Sequence, residues 1–265
     1  MKLHLPVRLF RAVMALLLAA PSALYAAYTA PTTITIPSGY TQVTVDALAD
    51  ITAYSSTAQD VAFLLDAASL PDGMLTISGR SSSLMTSSAV SWYFTSYSAS
   101  SLASLTFSEA TTRLFYVSWE SLQFTALQHL LFVGNTYSIS SDAYGGAIDG
   151  YIITLSGNGS VSFSDNTASS SSYSAFGGAI FSSSTITLSG NGSVTFSGNT
   201  ASGFSYARGG AIYGYDSTIT LSGNESVSFS GNTASSSKGA AYGGAIYGDS
   251  ITLSGNESVS FSGNT

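Results

Sequence analysis

The sequence repeats itself, and this repeat limits the possible folds more than any other feature. The tetrapeptide Gly-Gly-Ala-Ile begins at residues 145, 177, 209 and 243, at intervals of 32, 32 and 34 residues. A second segment, written ITLSGNESVSFSGNT at Ile219, begins also at Ile153, Ile186 and Ile251 with few changes. Units of this length that recur in register predict a stack of similar coils that share one continuous core.

Within one unit, apolar side chains alternate with hydroxyl side chains. Every second residue is apolar in 219–222 and again in 227–230, which is typical of β-strands with one buried face. Gly-Ala-Ile-Tyr supplies a third short strand, and no apolar spacing of 3.6 residues supports a helix. We therefore predict an all-β fold, a right-handed parallel β-helix (β-solenoid) with three short strands per coil.

Stacking the coils places like residues over like residues. Apolar columns would fill the interior, and Asn would occupy two corners, where it tolerates left-handed backbone and pairs amide to amide. The residue before the second Asn (Asp165, Gly198, Gly231 or Gly263) suits a positive φ. The predicted columns are Ile153, Ile186, Ile219 and Ile251; Leu155, Leu188, Leu221 and Leu253; Val161, Val194, Val227 and Val259; Phe163, Phe196, Phe229 and Phe261; Asn158, Asn191, Asn224 and Asn256; and Asn166, Asn199, Asn232 and Asn264.

The segments between Asn-Thr and Gly-Gly vary in length and sequence. They read ASSSSYSAF, ASGFSYAR and ASSSKGAAY, and we predict loops that protrude at one edge of the solenoid, where insertions accumulate. Tyr and Ser are common in recognition loops. Loops that only close the corner would explain the same residues equally well.

The first residues have the layout of an export signal. Lys2, Arg8 and Arg11 precede an apolar run over 12–20, and small residues follow, so we predict a signal peptide over residues 1–26, cleaved after Ala26. The apolar run is about half the length that a bilayer requires. The protein is therefore expected to be exported, to the cell outer membrane, to the cell surface or as a secreted protein.

Two further regions are predicted for the remaining chain. Residues 27–123 carry short, irregular alternating runs and are expected to form an N-terminal β region with a cap, because an uncovered end exposes sheet edges. ALADITAY or AQDVAFLLDAA would supply a short capping helix. Residues 124–265 are expected to form the regular β-helix.

Charge and cysteine content exclude several classes of protein. The whole chain has a net charge of −7, and removal of the predicted signal peptide leaves four basic residues against fourteen acids. Four scattered cations cannot neutralise a run of phosphates, so we predict no nucleic-acid partner. Cysteine is absent, so stability must come from burial and backbone hydrogen bonds.

Few residues could carry catalysis or hold a metal. Beyond the signal peptide, His129 is the only histidine, and its apolar neighbours favour a structural role over a zinc site. Asp149, Asp216 and Asp249 follow three Gly-Gly-Ala-Ile copies and could form an acidic column for Ca²⁺ or glycoside hydrolysis. Each lies in a turn sequence, which favours a turn role. We predict no enzyme activity, no cofactor and no metal.

The motifs alternate along the chain in fixed register. In this arrangement, residues 124–265 resemble the repeat of the chlamydial polymorphic membrane proteins, with motifs GGA[ILV] and FxxN. The resemblance implies an autotransporter, with a signal peptide, a β-helical passenger that acts as a surface adhesin, and a C-terminal outer-membrane barrel. The motif residues are Gly145, Gly146, Ala147, Ile148, Gly177, Gly178, Ala179, Ile180, Gly209, Gly210, Ala211, Ile212, Gly243, Gly244, Ala245 and Ile246, with Phe132, Asn135, Phe163, Asn166, Phe196, Asn199, Phe229, Asn232, Phe261 and Asn264.

Two features depart from that family. Its members commonly carry cysteines, and this sequence has none. The C-terminal barrel, which would link the passenger to the outer membrane, is missing, because no ten-residue strands with alternating faces appear near the C-terminus. We therefore expect the reading frame to continue beyond Thr265.

Three functions remain, from three classes. The first is an adhesin that binds a host or neighbouring cell-surface receptor or glycan through solenoid faces and loops. The second is a structural or self-associating surface scaffold, which the near-identical units favour. The third is a polysaccharide-active β-helix enzyme, which a dense cluster of acids and bases would favour. The variable aromatic segments favour the adhesin.

Overall fold

A computed structural model describes residues 30–55, 57–87 and 89–265. The predicted signal peptide lies outside these residues. Within them a little over half of the residues lie in β-strands, and the helical segments are one α-helix, α1, at Leu48–Thr52 and a 3-10 turn at Pro71–Gly73. No helix in the described ranges is long and apolar enough to cross a membrane.

The strands are short, and most contain two to five residues. In chain order they are β1 (Thr41–Val45), β2 (Val61–Leu65), β3 (Met74–Ser78), β4 (Met85–Ser87), β5 (Trp92–Ser96), β6 (Ser104–Ser108), β7 (Phe115–Thr125), β8 (His129–Val133), β9 (Thr136–Ile139), β10 (Ala143–Tyr144), β11 (Ile148–Ser156), β12 (Ser160–Ser164), β13 (Thr167–Ser170), β14 (Ala175–Phe176), β15 (Ile180–Ser189), β16 (Ser193–Ser197), β17 (Thr200–Gly203), β18 (Ala207–Arg208), β19 (Ile212–Ser222), β20 (Ser226–Ser230), β21 (Thr233–Ser236), β22 (Ala241–Tyr242), β23 (Ile246–Ser254) and β24 (Ser258–Ser262).

The strands stack in chain order into parallel sheets. One sheet runs β1-β2-β5-β7-β11-β15-β19-β23, with β4 paired to β7, and a second runs β3-β6-β8-β12-β16-β20-β24. Two narrower sheets follow β9-β13-β17-β21 and β10-β14-β18-β22. Each coil therefore hydrogen-bonds to the coil before it and the coil after it, and the predicted parallel β-solenoid is confirmed.

The predicted columns of like residues are present. Ile153 pairs with Ile186, and the Leu, Val and Phe columns keep the same register through four coils. The rings of Phe132, Phe163, Phe196, Phe229 and Phe261 stack at 4.6–5.0 Å, within 5° of parallel. This spacing matches the separation of adjacent strands, so each coil presents its ring directly over the ring below.

The strands within one repeat differ from the prediction in one respect. The Ile-Tyr of Gly-Ala-Ile-Tyr and the following Ile-Thr-Leu-Ser belong to one long strand. Its register shifts between Gly150 and Ile152 in β11 and at the matching place in β15, β19 and β23. A bulge bends a strand without ending its pairing. The polypeptide therefore turns this corner while it remains in one sheet.

The segments predicted to protrude as loops are mostly strands. In the first of them, β13 and β14 leave only residues 171–174 between them, so the prediction that the whole segment protrudes is wrong. Small side chains explain the difference. Alanines from neighbouring coils, such as Ala168 and Ala201, form a second apolar cluster, and this close packing lets the backbone groups pair between coils.

The predicted asparagine ladders are also present. The side-chain Oδ1 of Asn191 accepts hydrogen bonds from the backbone N–H and Nδ2 of Asn158, both at 3.0 Å. Its Nδ2 donates to the carbonyl of Leu155 at 3.0 Å and to Oδ1 of Asn224 at 2.9 Å. Asn199 makes the same set of bonds in the second ladder. These buried amides are therefore fully hydrogen-bonded at both corners.

The paired glycines serve two different purposes. Gly177 has a φ of +66°, and a Cβ there would lie 2.0 Å from the carbonyl oxygen of Ile180. A Cβ on Gly178 would lie 2.0 Å from the carbonyl oxygen of Gly210 in the next coil and 2.6 Å from backbone atoms of Thr200. The first glycine permits the turn, and the second permits close approach between strands and coils.

Helix α1 lies in the first of the two segments considered for a cap. Its Ile51 is buried against the core next to β1, the outermost strand of its sheet. The second segment, AQDVAFLLDAA, forms strand β2, so the expectation of a helix there is wrong. Five consecutive buried residues, Val61–Leu65, suit a strand covered on both faces.

Candidate functional site

Two outward-facing columns of side chains meet on one flank of the solenoid. The residue before each Gly-Gly lies in the short strands β10, β14, β18 and β22, and the residue after each Gly-Gly-Ala-Ile lies in the long bulged strands. In-register pairing aligns them between coils. The first column is Tyr144, Phe176, Arg208 and Tyr242, and the second is Tyr116, Asp149, Phe181, Tyr213 and Tyr247.

The rings of the two columns pack against each other. Tyr144 lies 4.7 Å from Phe181 and 5.3 Å from Phe176, measured between ring centroids. Phe176 lies 5.2 Å from Tyr213 in turn. At these distances an aromatic pair contributes free energy in addition to that from the apolar area it buries. The linked contacts join the two columns into one aromatic surface.

The two columns and the adjacent segments enclose a groove of about 520 Å³, which falls within the size range of small-ligand sites. We call it the aromatic groove. Serine hydroxyls add polar groups to its aromatic walls. Its lining consists of Arg113, Tyr116, Val117, Ser118, Tyr137, Ser141, Asp142, Tyr144, Asp149, Gly150, Phe176, Phe181, Ser183, Arg208, Tyr213 and Tyr215.

One end of the aromatic groove holds a partly buried ion pair. Arg113 donates to the carboxyl of Asp149, and its guanidinium lies 4.0 Å from the ring centroid of Tyr116. Burial raises the pKa of Asp149 to about 7, and this effect outweighs the lowering by Arg113. The carboxyl therefore titrates near neutral pH while it remains in contact with arginine.

Replacing Asp149 by asparagine is expected to remove a pH dependence of stability. The folded protein holds this proton more tightly than the unfolded chain, so the carboxyl favours folding below about pH 4, and this contribution is lost as the pH rises through 7. Urea midpoints measured between about pH 5 and pH 8 should fall more steeply for the wild type than for Asp149→Asn. Asp249→Asn, at an exposed position, is the control, and equal slopes in all three proteins would contradict the assignment.

The other end of the aromatic groove holds Arg208 within a cage of rings. Its guanidinium carbon lies 5.7–6.0 Å from the centroids of five rings, within cation–π range. Its one hydrogen bond in the described structure runs from Nη1 to the hydroxyl of Tyr213 at 3.4 Å, and its Nε is buried without a partner. The rings that surround it are Phe176, Tyr206, Tyr213, Tyr242 and Tyr247.

The three aspartates considered as an acidic column do not align. Asp149 pairs in register with Phe181 and, through it, with Tyr213, whereas Asp216 and Asp249 lie within the bulges of β19 and β23. The described residues contain no group of three or more His, Cys, Asp or Glu that could hold a metal ion. The acidic column that these aspartates could have formed is therefore not present, because Asp149 does not share a register position with the other two.

His129 occupies a half-buried position at the start of β8. Its Nδ1 lies 2.8 Å from the hydroxyl of Ser160 in the next coil, and burial lowers its pKa.

The motif residues also have structural roles. The phenylalanines and asparagines of Phe-x-x-Asn fill the interior and its corners, while Gly-Gly-Ala-Ile forms the turn between the two columns. The motifs therefore position the aromatic groove without lining it.

The groove was not predicted from the sequence. Its lining positions flank the recurring motifs and vary among aromatic, basic and acidic residues, so they do not appear as a repeat. A signal was present, because Tyr144, Phe176 and Tyr242 immediately precede a Gly-Gly pair. Aromatic residues placed one position outside a turn of the solenoid must lie on its surface.

Comparison with known proteins bears on the repeat. Residues 193–215 and 226–249 match the Chlamydia polymorphic membrane protein repeat. Each match runs from a Phe-x-x-Asn copy through the following Gly-Gly-Ala-Ile copy, so the resemblance inferred from these motifs is confirmed. No curated protein and no solved structure matches the chain. The repeat and the parallel solenoid together fit a surface passenger of the autotransporter kind.

Proposed function

We propose that the protein is an exported surface adhesin that contacts a host or neighbouring cell through the aromatic groove. The observation that supports this most is the groove, in which partly exposed rings surround an arginine that lacks a full set of hydrogen-bond partners. Aromatic and arginine side chains supply most of the energy at recognition surfaces, because they bury a large area at low entropic cost.

The solenoid supports the same proposal by its rigidity. Each groove residue lies on a strand that pairs with a neighbouring coil or within two residues of such a strand. A site built on paired strands is already organised before the partner arrives, which lowers the entropic cost of binding. Tyr173 and Phe204, at the tips of the short segments beside the groove, are exposed and extend this surface.

A comparison of three tyrosine substitutions tests the proposal. Tyr215 lines the groove, Tyr173 lies at a segment tip, and Tyr97 lies elsewhere, and their side chains are 52%, 57% and 57% exposed. Removing any one of them should leave the fold intact. We expect Tyr215→Ala to weaken binding of the purified protein to cells about tenfold, by the loss of one aromatic anchor. Tyr97→Ala should bind as the wild type does.

The same experiment separates the groove from the segment tips. Loss of binding only in Tyr173→Ala would move the site to the tips. Equal binding by all variants would contradict adhesion through aromatic surfaces. A protein that binds no cell but sediments as large assemblies would support the alternative proposal, the self-associating scaffold.

A further inference from the structure

We propose that the aromatic groove binds a carboxylated saccharide, whose carboxylate pairs with Arg208 and whose sugar ring lies against the adjacent aromatic rings. This inference deepens the proposed function and rests on it, because it names the class of ligand that the adhesive groove would take. Arg208, the rings and the polar groups of the groove each limit that class.

Arg208 indicates a ligand with a negative charge. The only ion pair in the described part of the chain joins Arg113 to Asp149, so no carboxylate of this structure neutralises Arg208. Its guanidinium has five N–H donors, and one of them makes a single long hydrogen bond. Its Nε is buried, so a carboxylate would form its charge-assisted bonds with the remaining Nη donors, whose planar geometry it matches.

The surroundings of Arg208 limit the ligand to a single charge. Asp142 and Asp149 line the same groove, and the chain as a whole is acidic. A polysulfated or polyphosphorylated ligand would bring its additional charges towards these carboxyls. One carboxylate on an otherwise neutral molecule fits the single unpaired cation of the groove.

The walls indicate a sugar. A pyranose ring presents apolar C–H groups on one face and hydroxyl groups around its edge. Partly exposed rings such as Tyr144, Phe176 and Tyr215 offer flat apolar surfaces on which the C–H face can lie. The hydroxyls of Ser118 and Ser183 can hydrogen-bond to the sugar hydroxyls. Strands β14, β15, β18 and β19 are paired on both sides, so in the groove a peptide could add a strand only at the short edges of β9 and β10.

The carboxyls of the groove are engaged in ways that favour binding over cleavage. Glycoside hydrolysis requires two carboxyl groups that face the scissile bond. Asp149 is bound to Arg113, and Oδ1 of Asp142 accepts a hydrogen bond from the backbone N–H of Ser174 at 2.8 Å. Both are held by the protein, so the saccharide should be bound and released intact.

Isothermal titration with four oligosaccharides tests the proposal on the full purified chain. The probes are 3′-sialyllactose, a glucuronic acid disaccharide, neutral lactose and a heparin tetrasaccharide. We expect at least one of the two carboxylated probes to bind about tenfold more tightly than lactose, by the contribution of one charge-assisted pair. The two carboxylated arms distinguish a sialic acid from a uronic acid. Equal affinity for lactose, tightest binding of heparin, or release of a cleaved product would each overturn the proposal.

Substitution of Arg208 locates the charge. Arg208→Gln should reduce the affinity for the carboxylated probe to that for lactose, and Arg208→Lys should give an intermediate value, because lysine keeps the charge but loses the planar donor pair. Arg80→Gln is the control, since Arg80 is partly exposed, lies outside the groove lining, and its guanidinium hydrogen-bonds within the described residues only to Ser82. Circular dichroism establishes that each variant is folded. An unchanged preference in folded Arg208→Gln would overturn the assignment.

Cell binding separates failure of this inference from failure of the proposed function. If Tyr215→Ala abolishes adhesion but no carboxylated probe binds, the groove is adhesive and the ligand class is wrong. Protease treatment of the target cells that abolishes adhesion, where removal of sialic and uronic acids does not, would identify a peptide ligand and overturn the saccharide. If groove variants adhere normally, the proposed function itself fails.

Discussion

Replacing Asn199 by aspartate is expected to destabilise the repeats strongly at neutral pH and much less in acid. The amide nitrogen that this substitution removes donates to the carbonyl of Phe163 and to Oδ1 of Asn232, both at 2.9 Å. An ionised carboxylate would place a negative oxygen against two acceptors in a fully buried corner. We expect a loss on the order of 4 kcal/mol, because the charge is buried and unpaired.

The pH dependence follows from the same contacts. Burial and the two facing acceptors both raise the pKa of the introduced carboxyl, because the protonated form can donate one hydrogen bond and carries no charge. Its destabilising effect should therefore be smallest at about pH 4 and should grow as the pH rises through the raised pKa. Urea unfolding followed by circular dichroism at about pH 4 and pH 7.5 measures both values.

Asn264→Asp is the matched control for the ladder. Asn264 belongs to the same ladder and also donates to a carbonyl, that of Phe229 at 2.9 Å, but its side chain is half-buried. A carboxylate there keeps its hydration on one side, so we expect less than half the loss seen at Asn199. Equal effects at the two positions, or no dependence on pH at Asn199, would show that the ladder does not hold the corner as described.

The interior could be predicted because it is where the repeats are most alike. A stack of coils requires identical neighbours at each buried position, and the Ile, Leu, Val, Phe and Asn columns therefore appear directly as recurring letters. The positive φ predicted at Asp165 and the glycines that follow it in the column is also present. Each of these features depends on a few neighbouring residues of one coil, and stacking repeats it in every coil.

The bulges could not be predicted by the same argument, because their lengths differ. One residue separates Gly150 from Ile152, two separate Ser182 from Thr185, and three separate Gly214 from Thr218. Asp149 precedes the bulge, whereas Asp216 lies inside one. Counting residues from the preceding isoleucine, rather than noting that an aspartate recurs, would have indicated that the two do not align.

The aromatic groove was missed for a different reason. Its columns recur in position and not in residue type, since an arginine stands between Phe176 and Tyr242 in one column and Asp149 replaces an aromatic residue in the other. Recognition sites differ from cores in this way, because packing requires like neighbours and binding requires particular chemistry at one place. Only the register of the strands shows that these residues share a surface.

The second large effect is expected from Gly178→Ala, which adds one methyl group where two coils meet. That methyl carbon would lie 2.0 Å from the carbonyl oxygen of Gly210 and 2.6 Å from the backbone nitrogen and carbonyl carbon of Thr200. The N–H of Thr200 is hydrogen-bonded to the carbonyl of Asn166 in the neighbouring coil, and backbone atoms cannot rotate away as a side chain could. The clash can be relieved only if the coils separate, and separation breaks the parallel pairing. We therefore expect the free energy of unfolding to fall by about 4 kcal/mol or more.

Gly190→Ala separates this packing effect from the conformational cost of alanine. Gly190 has a φ of +61°, but a methyl group there would meet nothing within 4 Å, so only the left-handed backbone is penalised, by about 1–2 kcal/mol. At Gly178 the cost comes instead from the clash of the added methyl group with backbone atoms of Gly210 and Thr200. Urea unfolding of the two variants should therefore place Gly178→Ala well below Gly190→Ala. The reverse order would mean that the second glycine of each Gly-Gly pair is not what lets the coils approach.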